Sequence, residues 1–209
     1  MRSPPNLTLA VLAVAVLCAA SPVRAATFHV DPGHSSVGFT IRHLVGKIAG
    51  QFDNFSGTIQ LDPDRPRSAT VEFTIQTASI NTRNEKRDSH LKSEEFFDVE
   101  TYPTITFRSD KVTGEGPIYQ VHGTLDMHGS RQPVVLKVEL LGVAPDPWGN
   151  LRAGFEATAA LDRKDFGIQW NRALEGGGLI LGDEVGITII LEAIAEKKAA
   201  AESSATRTK

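Results

Sequence analysis

The chain has 209 residues, with 22 basic and 25 acidic side chains, six histidines and one cysteine. A formal net charge of −3, with no basic run, argues against a nucleic-acid partner and against attachment driven by anionic lipid headgroups. The lone cysteine, Cys18, sits in a leader-like segment, so the rest of the chain must fold on its core without disulfides.

Residues 1–25 read as a secretory signal peptide. Arg2 supplies positive charge, Leu7 to Ala20 is apolar and uncharged, and Val23-Arg24-Ala25 offers a small-residue cleavage site before Ala26. The apolar run is short for a membrane span. Lipidation of Cys18 fits less well, because Leu17 stands where such sites want a small residue. Cleavage removes Arg2 and Arg24 and no acid, moving the formal charge from −3 to −5. The remaining 184 residues suffice for one core. No stable membrane insertion is expected after cleavage.

From residue 27 onward nearly every stretch alternates apolar and polar residues, the period of a strand with one dry face. Thr27–Val30 and Ser35–His43 are the first two predicted strands. Lys47–Leu61 is a strand pair or one bent strand, with Gly46, Gly50 and Gly57 as expected bend or bulge points. Ser68–Thr77 follows. The period then changes. Asn84–Ser93 reads as a short polar helix capped by Asn81 or Thr82, and Ser93–Phe97 as a second helical turn capped by Ser93. Beyond Pro103, strands are predicted at Thr104–Val112, Ile118–Met127, Val134–Val143, Leu151–Leu161 and Asp183–Ile194. His128–Arg131 is a hairpin turn. Asp165–Gly182 is a Gly-rich loop, and residues 196–209 form a disordered tail. The result is one all-β domain, residues 26–195, of about eight antiparallel strands with a helical insertion near residues 84–97. Sequential hairpins favour an up-and-down barrel over a Greek-key sandwich.

Three segments together resemble the YceI family of secreted lipid-binding proteins. The first is Asp31-Pro-Gly-His34-Ser35, continuing through Phe39 and His43 to Gly50-Gln-Phe52 and Phe55-Ser-Gly57. The second runs from Ser79 through Thr82-Arg83-Asn84-Glu85 and Arg87-Asp88-Ser-His90-Leu91 to Phe96-Phe97-Asp98 and Tyr102-Pro103. The third is Arg163-Lys-Asp165-Phe166-Gly167, then Trp170-Asn171 and Leu181-Gly182-Asp183-Glu184-Val185. The turn after Leu125 departs slightly, with Asp126 where the family usually has Thr. The resemblance implies a lipocalin-like barrel with an apolar tunnel, a polyisoprenoid, isoprenoid quinone or other long lipid as ligand, a periplasmic location and a homodimer. It implies no cofactor. Strands of about ten residues at ~3.3 Å each, tilted near 40°, give a barrel roughly 25 Å tall. A forty-carbon chain at about 0.3 kcal/mol per heavy atom reaches roughly −12 kcal/mol, which is nanomolar.

The candidate ligand-binding residues are Phe39, Phe73, Phe107, Arg83, Arg87, His90, Phe96, Phe97 and Trp170. The phenylalanines at 39, 73 and 107 lie on the apolar faces of their strands, which are either lumen or packed core. Arg83, Arg87 and His90 belong to the helical insertion, read either as a gate meeting a lipid headgroup or as a solvated face of local ion pairs. Arg87 and His90, three apart, share one helical face. Of Phe96 and Phe97, one is expected to line the cavity and the other to pin the insertion. Trp170 and Leu174 are expected to flap over the opposite mouth.

No catalytic or metal-binding residue is assigned. The histidines form no i, i+2 or i, i+4 pair, and no cysteine survives cleavage to join them. Asp31, His34 and Ser35 suggest a triad, but adjacent residues face opposite ways and no Gly-x-Ser-x-Gly elbow is present. The competing readings are an enzyme acting through His34, His43 or His90, and a packed interaction module without ligand.

Overall fold

The computed structural model describes residues 25–175 and 177–197. The signal peptide and nearly all of the tail read from the sequence lie outside these residues. The strands are β1 (Ala26–Val30), β2 (Ser36–His43), β3 (Gly46–Phe52), β4 (Phe55–Leu61), β5 (Thr70–Gln76), β6 (Ile80–Asn81), β7 (Thr104–Glu115), β8 (Ile118–Met127), β9 (Ser130–Pro145), β10 (Leu151–Asp162) and β11 (Leu181–Ala195). Among the described residues a single α-helix, α1 (Glu85–Lys92), interrupts them.

These segments close into an antiparallel up-and-down barrel of eight staves. Three staves are broken in two: β1 continues as β2, β3 as β4, and β5 as β6. The last strand sews the ring shut, because β11 pairs with β10 along one edge and with β2 and then β1 along the other. The break between β1 and β2 is built by the Asp31-Pro-Gly-His-Ser segment. Asp31 accepts from the Gly33 N–H and bonds the His34 ring, and the Ser35 hydroxyl engages both the N–H and the C=O of Glu192. The break between β3 and β4 falls at Asp53–Asn54, not at the glycines.

The period-2 pattern reads directly onto the wall. Val37 and Phe39 of β2, Val121 of β8 and Phe155 and Ala157 of β10 all point inward. Register shifts on β7 and β9 change which parity faces inward. On β7 the shift between Ser109 and Lys111 lets Val112 join Ile105 and Phe107 on the inner face, although its number has the other parity. On β9 a bulge at the exposed Leu141, opposite Gly154–Phe155, switches the inward parity, so that Val143 follows Leu140 on the core side. Phe28, Leu61, Ala153 and Ala193 pack tightly at the end of the barrel where β1 meets β11.

The insertion differs in detail from expectation. Asn84, rather than Asn81 or Thr82, caps α1 by accepting from the Arg87 N–H. Ser93 starts no second helix. It ends α1, its hydroxyl donating to the His90 carbonyl, and residues 94–97 follow as plain turns. The His128–Gly129 turn has positive φ at both residues, 52° and 73°, the two-residue hairpin geometry that matches strand twist.

Candidate functional site

The barrel is hollow. A cavity of about 800 Å³ runs along the lumen, and its wall draws residues from every stave. That lies in the upper range of ligand pockets. The lumen stays open through a device of paired residues. Phe39 faces Gly50 across β2 and β3, and Phe73 faces Gly57 across β5 and β4. Phe107 leans over Gly123 of β8. A Cβ on Gly50 would sit 2.8 Å from Phe39 Cε1, and one on Gly57 would sit 3.1 Å from Phe73 Cε2. One on Gly123 would meet Phe107 Cε2 at 2.6 Å. Each ring thus lies flat on a bare stretch of backbone instead of filling the centre. Gly50 and Gly57 are seats for aromatic rings, not the bends the sequence suggested.

The three phenylalanines at 39, 73 and 107 all line the cavity, as do Arg87, His90, Phe96, Phe97 and Trp170. Arg83 does not: it is exposed on the outer side of the insertion, beside a small polar groove with Asn81 and Glu85. Its backbone, at φ 59°, turns the chain into α1, and its N–H donates to Asn81 Oδ1. Phe96 and Phe97 do not divide into one liner and one pin. Both border the cavity, Phe96 against His90 and Trp170, and Phe97 edge-on to Phe52.

Trp170 covers the same mouth as the helix, not the opposite one. The meander places the β2–β3 hairpin, α1, the β8–β9 turn and the β10–β11 loop at one end of the barrel. There Trp170, His90 and Phe96 form a three-ring cluster with centroids 4.9–5.0 Å apart. The His90 ring is edge-on to both partners, and its Nε2 lies 2.6 Å from Glu95.

The polar lining collects at this end. Thr82, Asn84, Lys86, Arg87, His90, His43 and Arg163 all border the lumen near the mouth, while Tyr119 is the polar liner remote from it. Arg87 is anchored to the buried Thr82, with Nε donating to its hydroxyl at 2.7 Å and Nη2 to its carbonyl at 2.8 Å. Asp88 accepts from the Thr82 N–H and hydroxyl. The Thr82–Asp88 motif therefore holds the helix on the rim by its own hydrogen bonds.

Arg163 had no role assigned from the sequence. It is 4 % exposed and ties the β10–β11 loop to the barrel. Nη1 donates to the carbonyls of Ile168 and Trp170, Nε to Gly182, and Nη2 to Asp183. Lys164 shares Asp183, and together they hold its carboxyl below the usual range, the Lys164 bond first. The signal available in the sequence was an arginine directly after a strand and ahead of a Gly-rich loop.

At the far end a second ionic cluster closes the wall from outside. Arg152 bonds Asp146, Asp31 and Glu192, which raises its own affinity for the proton. Burial pushes Asp146 up, but bonds from the Asn150 side chain and backbone, from Arg152 and from the Trp148 N–H outweigh it and hold the carboxyl far below its ordinary value. Asp31 is lowered chiefly by His34. The Asp31–His34 contact of 2.8 Å does not extend to Ser35, whose hydroxyl is occupied by Glu192 backbone. Among the described residues no three His, Cys, Asp or Glu side chains converge as metal ligands.

Known proteins share this architecture. A UPF0312 protein of Photorhabdus laumondii is 41% identical over 164 residues, covering 77% of this chain and 85% of its own length. A YceI protein of Campylobacter jejuni superposes with a TM-score of 0.64 at 29% identity, over 75% of this chain and 90% of its own. A polyisoprenoid-binding domain from Saccharophagus degradans, 18% identical, covers 83% of this chain and all of its own with a TM-score of 0.60, a likeness of fold. The YceI-like domain model matches residues 28–193, essentially the whole barrel, and the chain belongs to that family.

Proposed function

We propose that this protein is an exported carrier that sequesters a long apolar lipid of the polyisoprenoid or isoprenoid-quinone class, by burial and without chemistry. The observation that carries this reading is the polarity of the cavity. An apolar lumen of about 800 Å³ has its cationic and hydrogen-bonding groups gathered at one mouth. An end-functionalised lipid matches that layout: its tail lies along Phe39, Phe73 and Phe107, and its head meets Arg87 and His90. The polyisoprenoid-binding domain of the same fold supports the ligand class. The signal-peptide layout of residues 1–25 supports delivery to the periplasm.

Native mass spectrometry of the protein purified from its own cell envelope, with organic extraction of the same sample, tests the proposal. A bound mass matching an isoprenoid supports it. A clean apo mass, with no thermal shift on adding polyprenyl lipids or quinones, refutes it, because a ligand that binds only the folded barrel must stabilise it.

A further inference from the structure

Two apolar fingertips stand beside the functional mouth, and folding does not call for either. The first is the β2–β3 hairpin tip, Leu44-Val45, with Leu44 41 % exposed and Val45 fully so. The second is on the β10–β11 loop, where Leu174 and Leu179 are exposed and Leu179 pairs with Ala173 in an isolated bridge. The two are joined, since the Leu44 N–H donates to the Ile180 carbonyl at 2.8 Å. Leu44 holds φ 52°, a left-handed position that turns normally give to Gly or Asn. A branched apolar residue is thus kept in a disfavoured backbone conformation and presented to solvent, the kind of outlier from which function is sought.

Two further features indicate what covers this surface. It is continuous with the lumen: His43, Ile48 and Ile180, next to the tips, already line the cavity. Its local charge also opposes that of the chain. Arg42 and Lys47 face each other across the first hairpin and are exposed, and Arg172 stands on the second loop; the exposed acids beside them are Glu175 and Glu184, while Asp183 is already neutralised by Lys164 and Arg163. Apolar tips ringed by basic residues fit a lipid bilayer with anionic headgroups. Attachment arises here from local geometry, which the net negative charge of the chain conceals.

We infer that the mouth docks on an anionic phospholipid bilayer, with Leu44, Val45 and Leu179 entering the interface so that a membrane lipid passes into the lumen without crossing water. This rests on the carrier reading above. The test is flotation of the protein with phosphatidylethanolamine–phosphatidylglycerol vesicles (3:1) against phosphatidylcholine vesicles, for wild type and Leu44→Asn/Val45→Ser. Asn suits the left-handed position, so the variant keeps the turn, and Val45→Ser alone serves as a second probe. Wild type is expected to bind the anionic vesicles more strongly than the neutral ones. The double variant is expected to bind at least about tenfold more weakly, from the apolar area withdrawn. Absence of wild-type flotation, or equal flotation of the variant, overturns the inference.

A parallel titration with a forty-carbon quinone in detergent micelles separates the two proposals. Unchanged quinone affinity in the variant, with lost flotation, supports docking as a distinct function. Quinone binding without any flotation sinks docking alone. Flotation without quinone binding sinks the carrier reading and leaves the docking surface standing.

Discussion

The aromatic seats make a quantitative prediction. In Gly50→Ala the new methyl group sits under 3 Å from three carbons, two on the Phe39 ring and the third Cγ2 of Thr82. The nearest approach is to Phe39 Cζ. Normal carbon contacts are about 3.5–4.0 Å, so the ring must retreat by more than about 1 Å, and the open direction is the lumen. Overpacking of this kind costs about 1–3 kcal/mol. A ring swung into the lumen also takes the place of about five ligand heavy atoms. At ~0.3 kcal/mol each, this weakens lipid binding about tenfold. The check is a double-mutant cycle by urea denaturation, with quinone affinity measured on the same four proteins. With Phe39→Ala as background the clash with the ring is gone and only the Thr82 Cγ2 contact remains, so Gly50→Ala should cost clearly less than it does in the wild type. If Gly50→Ala destabilises the Phe39→Ala protein as much as it does the wild type, the ring is not seated on Gly50 and the account of the open lumen is wrong.

Other outcomes follow from the same geometry. Phe73→Ala should cost less than the 3–5 kcal/mol of a fully packed phenylalanine, about 2 kcal/mol, because its ring borders the cavity, and it should weaken lipid binding; chemical denaturation with parallel titration measures both. Arg163→Met leaves the Ile168, Trp170 and Gly182 carbonyls without their donor and should cost about 3 kcal/mol. In a Trp148→Phe background it should also red-shift Trp170 fluorescence. Asp146 and Asp31 are lowered from 3.8 by folding, so their contribution is complete above about pH 5. It declines as pH falls below that value, where the unfolded chain binds protons that the folded one does not. Arg152→Ala should lower stability at pH 7 and flatten the pH dependence between about pH 2 and 4; denaturation at stepped pH reads both.

Strand positions were legible because a barrel wall obeys the simplest rule in the sequence. Val37, Phe39 and Ile41 alternate with polar neighbours, and that period survives in three dimensions. The rule also carried the up-and-down order, since short turns such as His128–Gly129 leave adjacent strands no other partner. It could not distinguish a hollow barrel from a filled one, because Phe73 shows the same face in both. The difference lay in Gly50, Gly57 and Gly123, whose meaning depends on cross-strand register, and register is not a local property. The placement of Trp170 failed for a related reason. Which mouth a loop serves depends on the parity of strands before it, and three staves are broken in mid-course. Arg83 and Arg87 look equivalent in sequence. One turn of chain separates a residue on the outer surface from one tied to Thr82 on the rim.

The seam between β11 and the opening strands also bears on how the chain is made. Ser35 and Glu192, which exchange hydrogen bonds there, are 157 residues apart in sequence. The first staves formed during synthesis must therefore wait for the last, with a free edge and an apolar face uncovered. Such late closure implies slow folding and a long-lived open sheet that neighbouring chains can extend. Crowding during expression should then be more damaging than heat applied to the finished barrel, and chaperones that shield strand edges should raise yield without altering the final stability.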